Sequence, residues 1–324
     1  MSKKLLLFAA CAALAAHSPA QSRVVDTLPD RPLCSSGRVM VPQLALPNHS
    51  RLIVRTNPTD AHECDAVILS ELNAVVYTFS DHSISLNAAT GPGVTSDGAP
   101  AAVLTGYSGG NHCCTSAAIV ALGSKPGLVW QFDVWAGMYP DKPPADLIPI
   151  EDESFFRDTA RNRVAILVAD NFSRDAGLPF TYGAYVLTAF EIAGGGFADV
   201  SRGLIPYRAN ADQARGRLAP AALAMFLSFD PSRDACYDRY PPEGCPAAMP
   251  DRSDQYWSAK QTILSVLLDD LHSGDLDQVQ KDLAAFWPAA DRARMQGLLL
   301  HDYCYQNPRA WFHLSAPPEC AGVP

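Results

Sequence analysis

The residues best suited to chemistry lie in one stretch, Gly106-Tyr107-Ser108-Gly109-Gly110-Asn111-His112-Cys113-Cys114. Gly106-x-Ser108-x-Gly110 matches the nucleophile elbow, in which a sharp turn after a strand presents a serine hydroxyl at a helix N-terminus. On that reading Ser108 serves a secreted serine hydrolase of the α/β-hydrolase type. The required order of Ser, acid, then His is met by an aspartate between 170 and 270 followed by His301, or by His272 or His313 in its place. Three features oppose it: no His-Gly oxyanion motif lies upstream, the helix after the elbow would begin Asn-His-Cys-Cys-Thr, and the downstream chain lacks strand-helix alternation. The competing reading is structural. An Asp97-Gly98 turn leads into a strand, the glycines bend the chain because they tolerate positive φ, and His112-Cys113-Cys114 opens the next strand.

His112 between thiols also raises a zinc site, which needs four donors. Calcium would need several oxygen ligands on alternating positions, and Asp97 stands nearly alone, as does Asp170-Asn171 with Asp175. No phosphate loop, dinucleotide fingerprint, His-Glu-x-x-His or Cys-x-x-Cys occurs. No metal or cofactor is therefore expected. Trp130, Phe132, Trp135 and Tyr139 form an aromatic strip suited to sugars or peptides, although alternating aromatics also fill cores. Ser108, His112, Trp135 and Tyr139 are the candidate binding residues.

The compartment decides how the cysteines are read. Lys3 and Lys4, the apolar run Leu5 to Ala16 and the small-residue site Ser18-Pro19-Ala20 form a secretory signal peptide over 1–20. That run is too short to span a bilayer. Phe8-Ala9-Ala10-Cys11 departs from a lipoprotein box, because the apolar run continues past Cys11. Eight cysteines then remain: Cys34, Cys64, Cys113, Cys114, Cys236, Cys245, Cys304 and Cys320. In an exported chain they point to disulfides. About a hundred pairings are possible. Local turns favour Cys236 with Cys245 and Cys304 with Cys320. Neighbouring residues on a strand face opposite ways, so Cys113 and Cys114 need separate partners, and Cys34 and Cys64 are available. A strained vicinal bridge is the alternative.

These residues must be positioned by strands. Leu52–Val54, Ala66–Leu69, Ala74–Phe79, Ser83–Leu86, Ala101–Thr105, Ala117–Leu122, Leu128–Trp135, Val164–Ala169 and Tyr182–Ile192 are apolar runs separated by Gly, Pro, Asn and Asp. Residues 21–50, rich in Pro and Ser, read as an irregular leader. From Leu218 the pattern turns helical: Pro220 opens one helix, Ser253 caps another that ends at Gly274, Asp275 opens a third, and Pro288 starts a fourth running to about His301. Asp269-Asp270 reads as a solvated face. The expected fold is α+β: a β-rich domain of antiparallel strand pairs over 51–205, then a small disulfide-bonded helical domain with a Pro-rich tail over 206–324.

The segment Ser108-Gly109-Gly110-Asn111-His112-Cys113-Cys114, after an Asp-Gly strand, resembles one carried by a group of exported bacterial proteins of unassigned function. Residues 97–200, about a third of the chain, are distantly similar to integrin-type propeller repeats. The resemblance implies propeller-like strand pairs. The 324 residues carry a formal charge of −9, which has the wrong sign for nucleic acid or anionic membrane surfaces. The sequence therefore favours a periplasmic or extracellular recognition or scaffolding protein without catalysis, binding a protein or small molecule. The Gly106–His112 bend and nearby aromatics form its expected surface.

Overall fold

The structure, a computed structural model, describes residues 29–95, 97–108, 115–133, 153–158, 162–172, 176–179, 182–193, 196–237, 243–247, 252–306 and 314–321. Residues 1–20, the expected signal peptide, lie outside them. Among the described residues fourteen strands form three antiparallel sheets. β3 (Gln43–Ala45), β4 (Arg51–Thr56), β5 (Cys64–Leu69) and β6 (Val75–Asp81) make the first sheet in sequence order. The central sheet runs β10 (Gly127–Asp133), β9 (Thr115–Ala121), β8 (Ala101–Tyr107), β7 (Ser83–Asn87), β1 (Asp30–Ser35) and β2 (Arg38–Val39). The third is another meander: β11 (Glu153–Asp158), β12 (Arg163–Asn171), β13 (Tyr185–Ala193) and β14 (Gly196–Asp199).

The sheets stack face to face, and side-chain alternation shows how. Along β8, Ala102 and Leu104 join β4 and β5 in one apolar layer, with Leu52, Val54, Ala66 and Ile68. Ala101 and Val103 point the other way, against Phe155, Val164, Ile166 and Phe190 of the third sheet. β9 divides likewise, Ala118 and Val120 to the first layer, Ala117 and Ile119 to the second. A strand buried on both faces must be apolar at consecutive positions, which is why these two read as unbroken runs. The alanines let the neighbouring sheets approach.

The third sheet's outer face is covered by helices. These are α1 (Ser201–Leu204), α2 (Tyr207–Arg217), α3 (Pro220–Leu227), α4 (Asp254–Ser273), α5 (Leu276–Phe286) and α6 (Arg292–His301). Ala165, Leu167, Val186 and Ala189 share one core with Ile263, Leu264, Leu267 and Trp287. Among the described residues the meanders form a stack capped by helices, and no propeller is present. The α+β order of antiparallel sheets followed by a disulfide-bonded helical region stands.

Local signals explain the helix ends. Ser253 Oγ accepts from Tyr256 N at 3.3 Å, Gly274 closes α4 at φ +84°, and Asp275 accepts from Gln278 N at 3.1 Å. The last helix begins at Arg292 rather than Pro288, because Asp291 N–H closes a turn onto Pro288 O at 3.0 Å.

Three expectations are corrected. The leader is ordered from Asp30 onward: β1 joins the central sheet beside β7, its Pro32 beside a shift in register, and Ser36-Gly37 turns it into β2 with both φ positive. Cys34 bonds Cys64, tying the central to the first sheet, so neither is left for Cys113 or Cys114; those two lie outside the described residues. Asp269-Asp270 is no solvated face, since Asp270 is buried and Asp269 half-buried. The expected Cys236–Cys245 and Cys304–Cys320 bonds are present.

The helical core holds a buried charge network. Asp234 accepts from Lys260 Nζ at 2.9 Å, from Arg252 Nη2 at 3.3 Å and from the Tyr256 hydroxyl. Lys260 also donates to Ala176 O, crossing to the chain segment between β12 and β13. Burial pulls the Lys260 ammonium down to about 8, against the attraction of Asp234. The Arg252 guanidinium lies 4.1 Å from the Phe229 ring centre, and its Nη1 is buried without a hydrogen-bond partner. Removing Asp234 strands two cations in an apolar core. Asp234→Ala is thus expected to cost about 3–5 kcal/mol in urea unfolding, whereas Lys260→Met, which leaves Asp234 bonded to Arg252 and Tyr256, costs much less.

Candidate functional site

One end of the central sheet gathers hydroxyls, a carboxylate and an imidazole. Ser35, Ser83, Tyr107 and Thr115 lie opposite one another across β1, β7, β8 and β9. One step inward the row is Cys34, Ile84, Gly106 and Ser116. Ser108 follows β8 at this rim and is half-buried.

The rim is fixed by two links between layers. One is the Cys34–Cys64 disulfide, with Cα atoms 6.5 Å apart. The other is Asp81, at the end of β6, whose Oδ2 accepts from Ser116 Oγ at 2.5 Å while Oδ1 accepts from His82 N at 2.6 Å. Asp81 is almost fully buried, so its charge depends on these donors. Gly106 makes the link possible. A Cβ there would stand 2.3 Å from Ser116 Oγ and 2.4 Å from Asp81 Oδ2. This glycine is needed for space rather than for positive φ, a correction to its reading as a bend residue.

Ser36 and His82 sit at the same end. Ser36 Oγ lies 2.9 Å from His82 Nε2, and Ser83 Oγ lies 3.5 Å from Ser35 Oγ. A serine and a histidine at that distance are two members of a nucleophilic triad. The carboxylate that would orient the imidazole is engaged otherwise, since Asp81 takes the backbone N–H of His82 and the Ser116 hydroxyl.

The elbow at Ser108 requires a strand-to-helix turn. Here β9 returns antiparallel to β8 with Thr115 opposite Tyr107, so the chain reverses as a hairpin. The proposed histidines lie elsewhere. His301 is exposed on α6, its ring 5.5 Å from that of Tyr305. His272 is buried, 5.5 Å from the Tyr207 ring and 5.0 Å from the Tyr303 ring. Both belong to the helical layer beyond the third sheet. His112, Trp135, Tyr139 and His313 lie outside the described residues. Asp97 Oδ1 accepts from Thr95 Oγ1 at 2.8 Å and from Ala99 N at 3.0 Å, bonds that lower its carboxyl and close the turn before β8. Among the described residues no group of three or more His, Cys, Asp or Glu is placed to hold a metal.

Sequence reasoning missed Ser36, Asp81, His82 and Ser116. A signal was present: Asp81-His82-Ser83 carries an acid, a base and a hydroxyl at the corner between two strands, and Ser36-Gly37 is a two-residue turn sequence.

No protein-family model, curated protein or solved structure matches the chain.

The interlayer link makes a defined prediction. Gly106→Ala should lower stability by about 1.5–3 kcal/mol, the range for a hydrogen bond to a charged group, in chemical unfolding. Adding Ser116→Ala to that variant should cost little more, because the bond is already displaced. Fully additive losses would mean that Gly106 and Ser116 act independently.

Proposed function

We propose that the chain is an exported, non-catalytic recognition protein whose binding surface is the rim of the central sheet. Ser36, His82, Ser83, Tyr107 and Ser108 form it; the expected binding residue His112 follows in the chain, outside the described residues. The observation that carries this reading is the immobilised Asp81–Ser116 pair beside the Cys34–Cys64 disulfide. Two cross-links behind an exposed, hydroxyl-rich edge hold donors and acceptors in place before a ligand arrives, which lowers the ordering cost of binding. Tyr107 adds an exposed ring to that edge, suited to the face of a sugar or peptide group. The ligand is thus a polar small molecule or a protein segment.

Three disulfides among the described residues fit the oxidising compartment that the expected signal peptide implies. Among the described residues no helix is long and apolar enough to cross a membrane. We read the three successive meanders as propeller-like units that stack without closing a ring, in keeping with the likeness drawn from residues 97–200. The hairpin at Ser108 and the engagement of Asp81 weigh against the serine hydrolase.

Labelling of the oxidised, folded protein with a fluorophosphonate probe, followed by peptide mapping, tests the choice. The expected result is no labelling at Ser108 or Ser36, with Ser108→Ala and Ser36→Ala indistinguishable from the parent. Stoichiometric labelling at either serine would establish an activated nucleophile and replace recognition with hydrolysis.

A further inference from the structure

The helical layer contains an uneven meeting of charges. Arg215, near the end of α2, donates from Nε and Nη2 to Asp282 Oδ2 of α5 at 2.9 and 2.8 Å, and from Nη2 also to Asp270 of α4. Its Nη1 reaches Asp212 of its own helix at 2.5 Å. Asp270 and Asp282 are both buried, and Asp269 stands beside them on α4, half-buried. Gln278 Nε2 donates to the second oxygen of Asp282 at 3.1 Å. The nearby arginines are committed: Arg208 to Asp275 at the α4–α5 turn, and Arg202 to His272 O, Tyr303 and Glu319. Among the described residues no other cation bonds this cluster. One guanidinium thus faces two buried carboxylates and an exposed third.

A single positive charge cannot neutralise that set. Two buried carboxyls converging on one donor group keep a proton to higher pH than an isolated aspartate. We propose that Arg215, Asp270 and Asp282 form a proton-operated clasp, which holds α2 on α4 and α5 more firmly in mildly acidic than in alkaline medium. Protonation of one carboxyl leaves the clasp neutral, with guanidinium, carboxylate and carboxylic acid bonded together. Loss of that proton leaves a net negative charge inside a helix interface.

The titration supports this geometry. Burial, then the hydrogen bond that protonated Asp270 donates to Asp282, raises Asp270 to about 7 despite Arg215. Burial, then the neighbouring Asp270, raises Asp269 to about 7 as well. For an acid whose folded value lies above its unfolded one, the folded state binds the extra proton between the two values. Stability from these groups is therefore greatest below the ordinary aspartate value near 4 and falls as pH rises toward about 7, levelling above it.

Hydrogen exchange of α2 amides in the full-length protein, corrected for intrinsic rates, reads the clasp directly. Between pH 5 and pH 8 their protection factors should fall by at least about tenfold, one unit of linked pKa shift. In Asp270→Asn, whose amide stays neutral and still bonds Asp282, the fall should be much smaller, because only Asp269, held up by burial, still titrates in this range. Equal protection in the parent, or an undiminished fall in the variant, would overturn the proposal. Carboxyl carbon NMR of the parent needs no variant: the Asp270 carboxyl should titrate near neutrality, and completion of every aspartate titration below about pH 5.5 would equally overturn it.

Discussion

Everything in the molecule depends on two central strands with no wet face. β8 and β9 are covered by the first sheet on one side and the third on the other, so neither strand can place a polar group outward along its middle. Each fully buried Val, Leu or Ile contributes roughly 1.5–3 kcal/mol, and these strands supply such residues to two layers at once. Polar residues appear only where the layers end. Gly106, Ser116 and Asp81 mark that end, and there the interlayer space closes with a hydrogen bond instead of apolar contact.

The same logic governs the outer layers. Along Val164–Val168 of β12 and Thr188–Ile192 of β13 the third sheet exposes neither face, because the central sheet takes one and the helices the other. The helices inherit the remaining burden of polarity. Their buried charges are clustered, Lys260 and Arg252 on Asp234, and Asp270 and Asp282 on Arg215. The two clusters are opposite in balance, cations in excess in the first and carboxylates in the second. A buried charge of either sign is tolerated only with partners fixed around it, and each cluster therefore ties separate segments together.

How much of this could be read from the chain depends on the range of the interaction. The strands of the central sheet were legible, since two-sided burial writes continuous runs such as Ala101-Ala102-Val103-Leu104. The caps at Ser253, Gly274 and Asp275 were legible because each acts within one helical turn. β1 was hidden, because Pro32 breaks the apolar pattern where the register shifts. α2 was missed for a related reason: only Tyr207 and Ala211 are fully buried along it, so it carries little periodicity. Asp270 read as solvated because Arg215 lies 55 positions away, and Asp81 meets Ser116 across 35. The rim was found only through Ser108, while its cross-links join residues that no local pattern connects.

Native-state hydrogen exchange along β8 and β9 tests the two-sided burial most directly. If the central sheet is the hub, the amides of Val103, Leu104, Ile119 and Val120 exchange only through global unfolding, with a free energy equal to that from chemical denaturation. Exchange of those amides through a smaller opening, while β12, β13 and α4 stay protected, would show that the helices and third sheet stand without it and would contradict the account.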